Sequence, residues 1–157
     1  LMGKLPIRLF LVGPAFEWYY DLYNALSEDE KSRIIEMGVL PHQEKVNMLH
    51  LSELLVLPSQ FEAFGIVFLE AWICGTPVLG TTEGAIPAVV GEEGFLCSFG
   101  DTESLKETLV NALSDRKRLK EMGARGKAKV LERYTCDRIG AKVQEVAEEN
   151  RRKTREE

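Results

Sequence analysis

Glu62 and Glu70 stand eight residues apart in "FEAFGIVFLEAWICGTPVLG" (61–80), a stretch otherwise almost wholly apolar or small. An ionised carboxylate among apolar neighbours is costly unless hydroxyls, amides or a cation meet it. At Glu70 the hydroxyls of a ligand diol would serve. Between the two acids, Gly65 lets a ligand approach the backbone closely. The amides of Gly65, Ile66 and Val67 fall at the start of a predicted helix, where they have no partner within the helix. Together with the helix dipole they make a natural anion site. Eight residues of helix span about 12 Å. That scale suits one ligand with hydroxyls at both ends and an anion in the middle, which is the layout of a nucleotide-sugar. Taken singly, each acid reads as a loop or surface residue. With Gly65 between them and Pro58-Ser59 ahead of them, the ligand reading is favoured.

Short apolar runs and amphipathic stretches alternate around this motif. Strands are predicted at 7–13, 34–39, 53–59, 76–81 and 94–98. Helices are predicted at 18–34 (ending in a polar turn), 42–52 and 64–75, the last stopped by Gly75. From Asp101 the chain reads as helical, with Asp101 or Thr102 as the cap of "ESLKETLVNALS". This order implies an α/β fold, a Rossmann-like parallel sheet flanked by helices with a helical C-terminal end. Such sheets bind ligands beyond the carboxyl ends of their strands, here near Gly13, Gly38, Pro58-Ser59 and Gly80-Thr81. One domain is expected over 1–150, followed by a charged tail over 151–157 that is expected to fray.

The 157 residues carry a net charge of −5. Duplex-binding domains normally carry a basic surplus, so nucleic acid is not an expected partner. Cys74, Cys97 and Cys136 are odd in number and contain no CxxC pair, which argues for reduced thiols and against a zinc knuckle. His42 and His50 stand apart from other ligand candidates, so neither a metal nor a cofactor is expected. No stretch is apolar enough to span a bilayer and no secretion signal opens the chain, which makes the cytoplasm the default location. The abrupt entry into a strand after "LMGKLP" suggests a piece of a longer protein. "FEWYYDLY" (16–23) presents Tyr19, Tyr20 and Tyr23, which suit either a base or acceptor surface or packing against the sheet; packing is preferred. Residues 115–133 hold eight basic residues against three acids. A solvated face is the plainer reading, and peripheral contact with an anionic membrane at the cytoplasmic face is the alternative. Gly123 and Gly126 argue against one long helix there.

The stretch "LPSQFEAFGIVFLEAWICGTPVLGTTEGAIPAVVGEEGFL" resembles the carboxy-terminal, donor-nucleotide domain of the retaining GT-B glycosyltransferases called glycosyl transferases group 1. The resemblance rests on the two glutamates with seven residues between them, on Phe64, Gly65 and Gly75, and on the Pro77-Val78 strand. It extends over roughly residues 7–140. It implies half of a GT-B architecture that binds a nucleotide-diphosphate sugar as substrate. Glu62 would contact the transferred sugar near its reacting carbon. The amides of Phe64, Gly65, Ile66 and Val67 would hold sugar and diphosphate, and Glu70 the ribose. The loop at Val39 and Leu40 would meet the base. Lys45 on the following helix either reaches the base or is a solvated lysine.

The sequence also departs from the family pattern. Ala63, Ala85 and Ala88 replace residues common in the family. The family's diphosphate-binding arginine and lysine would precede residue 1, and Lys4 and Arg8 flank the wrong strand to replace them. The amino-terminal acceptor domain is likewise a missing partner. The chain alone is therefore expected to bind donor weakly without turning it over. The competing readings are a non-catalytic sugar-nucleotide-binding subunit and a sugar-nucleotide epimerase of related fold.

Overall fold

The computed structural model of the chain describes residues 6–156; Lys4 lies outside them. The chain divides into two compact units, Leu1–Met48 and Leu49–Glu157.

In the first unit, β1 (Leu9–Val12) pairs in parallel with β2 (Ile34–Gly38). Between them lie α1 (Glu17–Asn24) and the short α2 (Glu28–Lys31). α2 exists because Ser27 and Glu30 cap it reciprocally: each side chain meets the other's backbone amide. α3 (His42–Leu51) follows and runs across the division between the units.

The second unit holds β3 (Leu55–Val56), β4 (Val78–Thr81) and β5 (Phe95–Cys97), all parallel, in the order β3-β4-β5. α4 (Ile66–Ile73) connects β3 to β4; α5 (Ile86–Val90) and a 3-10 turn (Gly91–Glu93) connect β4 to β5. Then come α6 (Thr102–Ser114), α7 (Arg116–Arg133) and α8 (Cys136–Glu156). Asp101 caps α6 by accepting from the amides of Glu103 and Ser104, and Asp115 caps α7 in the same way. α8 carries residues 151–156, the stretch expected to fray, as helix.

Among the described residues, five strands form where expected and every pairing is parallel, but the ladders make two sheets instead of one. β3 is short. Its neighbouring bonds, Leu55 N to Pro77 O and Leu57 N to Leu79 O, both go to the β4 side. Pro58 has no amide to donate on the opposite side, so it closes that edge of β3 to a further strand.

β4 is buried along its whole length. Val78 joins a cluster with Phe68, Ala71 and Trp72 of α4, Val89 and Val90 of α5, and Val130 of α7. Leu79, one residue on, faces the opposite cluster with Phe95, Cys97, Ala112, Leu119 and Met122. An uninterrupted apolar run is what a strand covered on both faces requires.

Gly123 and Gly126 do not break the long basic helix: α7 is a single 18-residue helix with both glycines buried. A Cβ at Gly123 would lie 2.1 Å from the carbonyl oxygen of Gly75, so the glycine is what lets α7 come this close to the end of α4. No helix among the described residues is long and apolar enough to cross a membrane.

Candidate functional site

The structure gathers part of the glutamate motif at the start of α4. Gly65 is the N-cap, in the left-handed region (φ 74°, ψ 53°). A side chain there would also strike the Phe68 ring, with a Cβ 2.6 Å from Cδ2. Glycine therefore meets two demands at one position. The Gly65 carbonyl accepts from the Phe68 amide at 2.9 Å. No side chain caps α4, and its first turn holds no acidic residue. The positive end of the helix dipole is thus unneutralised by the helix's own residues.

Phe64, just ahead of the cap, is held by an edge-on contact with Tyr134 (5.6 Å between ring centroids). Glu62 sits half-buried in the loop outside the helix, and Phe61 beside it is 82% exposed.

Glu70 lies in the second turn of α4 and is half-buried. An apolar helix of this kind reads as buried on nearly every face, and α4 is not. Phe68, Ala71 and Trp72 point into the core, while Ile66 is 66% and Ile73 39% exposed. Residues 66, 70 and 73 share one helix face. Glu70 therefore stands on the open side of α4. A helix lying on one face of a sheet buries only the stripe that faces inward, even when its outer residues are apolar.

Thr81, named above only as a strand end, and Gly84, which the sequence reading passed over, position the Glu62 loop. Thr81, fully buried at the carboxyl end of β4, donates its hydroxyl to the Ser59 carbonyl at 2.6 Å. Gly84 also lies against the loop: a Cβ there would stand 3.5 Å from the Glu62 carbonyl oxygen. The only signal for Thr81 in the sequence was a hydroxyl ending an otherwise apolar strand.

Val39, Leu40 and Lys45 belong to the first unit. Val39 follows β2 and is 76% exposed, Leu40 is half-buried, and Lys45 lies half-buried on α3.

Parallel strands joined through helices, and an uncapped helix start beside their carboxyl ends, define the class of Rossmann-like ligand-binding domains. Within that class, the chain belongs to the glycosyl transferases group 1 family, whose model matches residues 4–129. The chain is 32% identical over 142 residues to the N-acetyl-alpha-D-glucosaminyl L-malate synthase of Bacillus anthracis, covering 88% of this chain and 36% of that protein. It thus spans little more than a third of that relative's length. Among solved structures, the C-terminal domain of the group 1 glycosyl transferase LpcC from Francisella tularensis superposes with a TM-score of 0.77 at 22% identity, covering 86% of this chain and 74% of that one. Anabaena HepE, solved in complex with UDP-glucose, superposes with a TM-score of 0.76 at 21% identity, covering 94% of this chain and 43% of that one. The fold is half of a GT-B glycosyltransferase.

Proposed function

We propose that this chain is the donor-binding half of a retaining hexosyltransferase and holds a nucleotide-diphosphate sugar at the start of α4. The observation that carries this reading is Gly65. Its left-handed backbone starts α4 without a side-chain cap, and its missing side chain makes room for the Phe68 ring; Ile66 in the first turn is exposed, Glu62 lies ahead of it, and Glu70 shares the face of Ile66. The amides of Phe64, Gly65, Ile66 and Val67 take the sugar and diphosphate, because amides at a helix start favour an anion. Glu62 meets the transferred sugar. Glu70 accepts from the ribose hydroxyls. In the first unit, Val39, Leu40 and Lys45 are the residues proposed to contact a base. The relative named as a glucosaminyl malate synthase and the HepE complex with UDP-glucose support a sugar nucleotide as the ligand class.

Residues 58–85 contain no lysine or arginine. The helix start can bind a diphosphate, but stabilising one as a leaving group depends on preorganised positive charge. The chain by itself therefore binds donor without transferring sugar, and a measurable transfer rate from it would overturn that part of the reading. The cytoplasm, where sugar nucleotides are made, is the proposed location.

The test is thermal unfolding with UDP, GDP, ADP and their sugar conjugates. A ligand that binds only the native state, at a hundredfold its Kd, stabilises by about 2.7 kcal/mol. For a chain of this size that raises Tm by roughly 5–11 °C. At least one nucleotide diphosphate should do so, and Glu70→Gln should remove the part of the shift that depends on ribose. The reading fails if no nucleotide diphosphate raises Tm, or if Glu70→Gln leaves nucleoside affinity unchanged.

A further inference from the structure

The aromatic stretch of α1 does not do what its sequence suggests. Packing against the sheet was the preferred use, yet α1 has no buried residue. Phe16, Trp18 and Tyr20 are 59%, 63% and 46% exposed. Together with Tyr19 they line a cavity of about 400 Å3, formed within the first unit at the carboxyl ends of β1 and β2. That volume lies in the range of small-molecule sites, about 300–1,000 Å3. Exposed aromatic surface gathered around a concavity is a feature of ligand grooves and interaction sites.

The cluster is held in place. The Tyr19 hydroxyl donates to Glu36 Oε1 at 3.0 Å across the two strands' connection. The Tyr19 ring meets Tyr20 edge-on, 5.2 Å between centroids, and Tyr23 at 5.7 Å. Burial, and then the Glu36 carboxylate, push the Tyr19 hydroxyl up to about 12, so it stays a donor at any ordinary pH. Oε2 of Glu36 keeps its acceptor capacity for a ligand.

The charge of the lining selects the ligand. It contains the Glu36 carboxylate and no lysine or arginine. A phosphate or carboxylate would meet repulsion here. A nucleotide is disfavoured for the same reason, and Val39, Leu40 and Lys45, the residues proposed for the base, are not part of the lining. An organic cation or a neutral molecule with an apolar face and hydroxyl donors at its rim fits this lining; with one Glu36 oxygen already taken by Tyr19, we favour the neutral molecule, which donates to the other oxygen. A pyranose ring has that make-up: axial C–H groups on one face and hydroxyls around the edge.

We propose that this cavity binds a neutral pyranoside, its C–H face on Trp18 and Tyr20 and its hydroxyls donating to Glu36. The residues the proposal uses, Trp18, Tyr20 and Glu36, belong neither to the glutamate motif nor to the proposed base contacts, although Gly13 and Gly38 of the lining are strand ends named above as ligand-approaching. A chain that ignores nucleotides can still pass the test below.

The test is a two-dimensional NMR titration of the full chain, following the indole N–H signals of Trp18 and Trp72. The probes are methyl α-D-glucopyranoside, methyl α-D-mannopyranoside and methyl N-acetyl-α-D-glucosaminide, with uridine and guanosine for comparison. At least one glycoside should move the Trp18 signal saturably and leave that of the buried Trp72 in place. Trp18→Ala and Glu36→Gln, both at exposed positions, should each weaken binding about tenfold, equivalent to ~1.4 kcal/mol; the backbone signals of both variants report that they fold, with Tyr20 then followed in place of Trp18. The proposal is overturned if no glycoside gives a saturable shift, if only the nucleosides do, or if both variants bind as the parent does. It is equally overturned if the chain self-associates through this face and Trp18→Ala abolishes that association without any glycoside response.

Discussion

Gly126 of α7 lies against the indole of Trp72 of α4 so closely that a Cβ at residue 126 would stand 2.1 Å from Trp72 Cδ1. Trp72 is fully buried and cannot yield. Gly126→Ala should therefore destabilise the chain despite a gain of ~1 kcal/mol in helix propensity. Forcing a methyl group into a packed core costs typically 1–3 kcal/mol, occasionally more. With the cost at the upper end, about 3 kcal/mol, because the methyl group meets a buried rigid indole, the expected net loss is about 2 kcal/mol, or roughly 4–8 °C in Tm. Gly140→Ala in α8 is the control. A Cβ there meets nothing within 4 Å, so only the propensity gain remains, and Tm or helicity should rise slightly or hold. Equal effects from the two substitutions in urea unfolding would show that the 126 contact does not govern how α7 packs.

Lys129 closes the end of α5. Its ammonium donates to the carbonyls of Val89 (2.8 Å) and Val90 (3.3 Å) and to Glu93 Oε2 (2.8 Å). The hydrogen bond from Lys129, aided by the charges of Lys129 and Arg125, holds the Glu93 carboxyl below its usual value of 4.5. A carboxylate with a lowered folded pKa contributes stability that is complete above its unfolded pKa and is lost as pH falls through the folded one. Acidification from pH 7 should thus begin to cost stability near 4.5 and continue below it. Glu93→Gln should lower Tm at pH 7 and flatten this part of the acid limb. Lys129→Met should cost roughly 2 kcal/mol, because it strands a partly buried carboxylate and two helix-end carbonyls. Parallel acid limbs for Glu93→Gln and the parent would rule the pair out as a source of pH dependence.

The sequence made some of these relationships readable and hid others, for physical reasons. The cap of α6 could be narrowed to Asp101 or Thr102, because a short acceptor ahead of a periodic helix has few other uses, and the structure makes it Asp101. The five strands were visible as apolar runs. α2 was hidden inside "SEDEKS", since a four-residue helix made by one capping box looks like any polar turn. Glu62, Gly65 and Glu70 were legible as a spacing, but that α4 leaves the face of Ile66, Glu70 and Ile73 open depends on where the sheet and α7 lie. Gly123 and Gly126 misled for the same reason: propensity counts a glycine as a weak point, whereas helix packing uses the space it leaves. The exposure of Trp18 and Tyr20 likewise follows from tertiary arrangement and has no signature in hydrophobic periodicity.

Thr81 ties the strand that ends beside the candidate site to the loop that carries Glu62. Its hydroxyl donates to the Ser59 carbonyl, and Thr81 is wholly buried. Thr81→Val keeps the shape and removes the donor. The stranded carbonyl should cost about 1–3 kcal/mol. A purely structural role predicts that loss alone. A positioning role predicts, in addition, faster amide exchange over residues 59–64 and weaker binding of a sugar nucleotide than of the bare nucleotide, because only the sugar would meet Glu62. Thr81→Ser, which restores the donor, should recover both. Unchanged exchange over 59–64 in Thr81→Val would reduce Thr81 to a core residue.

Gly65 offers the sharpest separation between folding and binding. Gly65→Ala must place a methyl group in the left-handed region, at a cost of roughly 1–2 kcal/mol, and against the Phe68 ring. Part of this is relieved if the first turn of α4 unwinds, and that same unwinding removes the aligned amides. The variant should therefore fold with a Tm lower by roughly 4–12 °C, following a loss of about 2–3 kcal/mol. Calorimetry well below that Tm then compares a nucleoside with its diphosphate. In the parent the diphosphate should add affinity over the nucleoside, since amides and dipole at a helix start favour an anion by up to about 2 kcal/mol. In Gly65→Ala that increment should vanish, while nucleoside affinity, which does not rely on the first-turn amides, stays within about twofold, a difference of ~0.4 kcal/mol. If the variant keeps the full increment, the diphosphate is held elsewhere and the start of α4 is not the anion site.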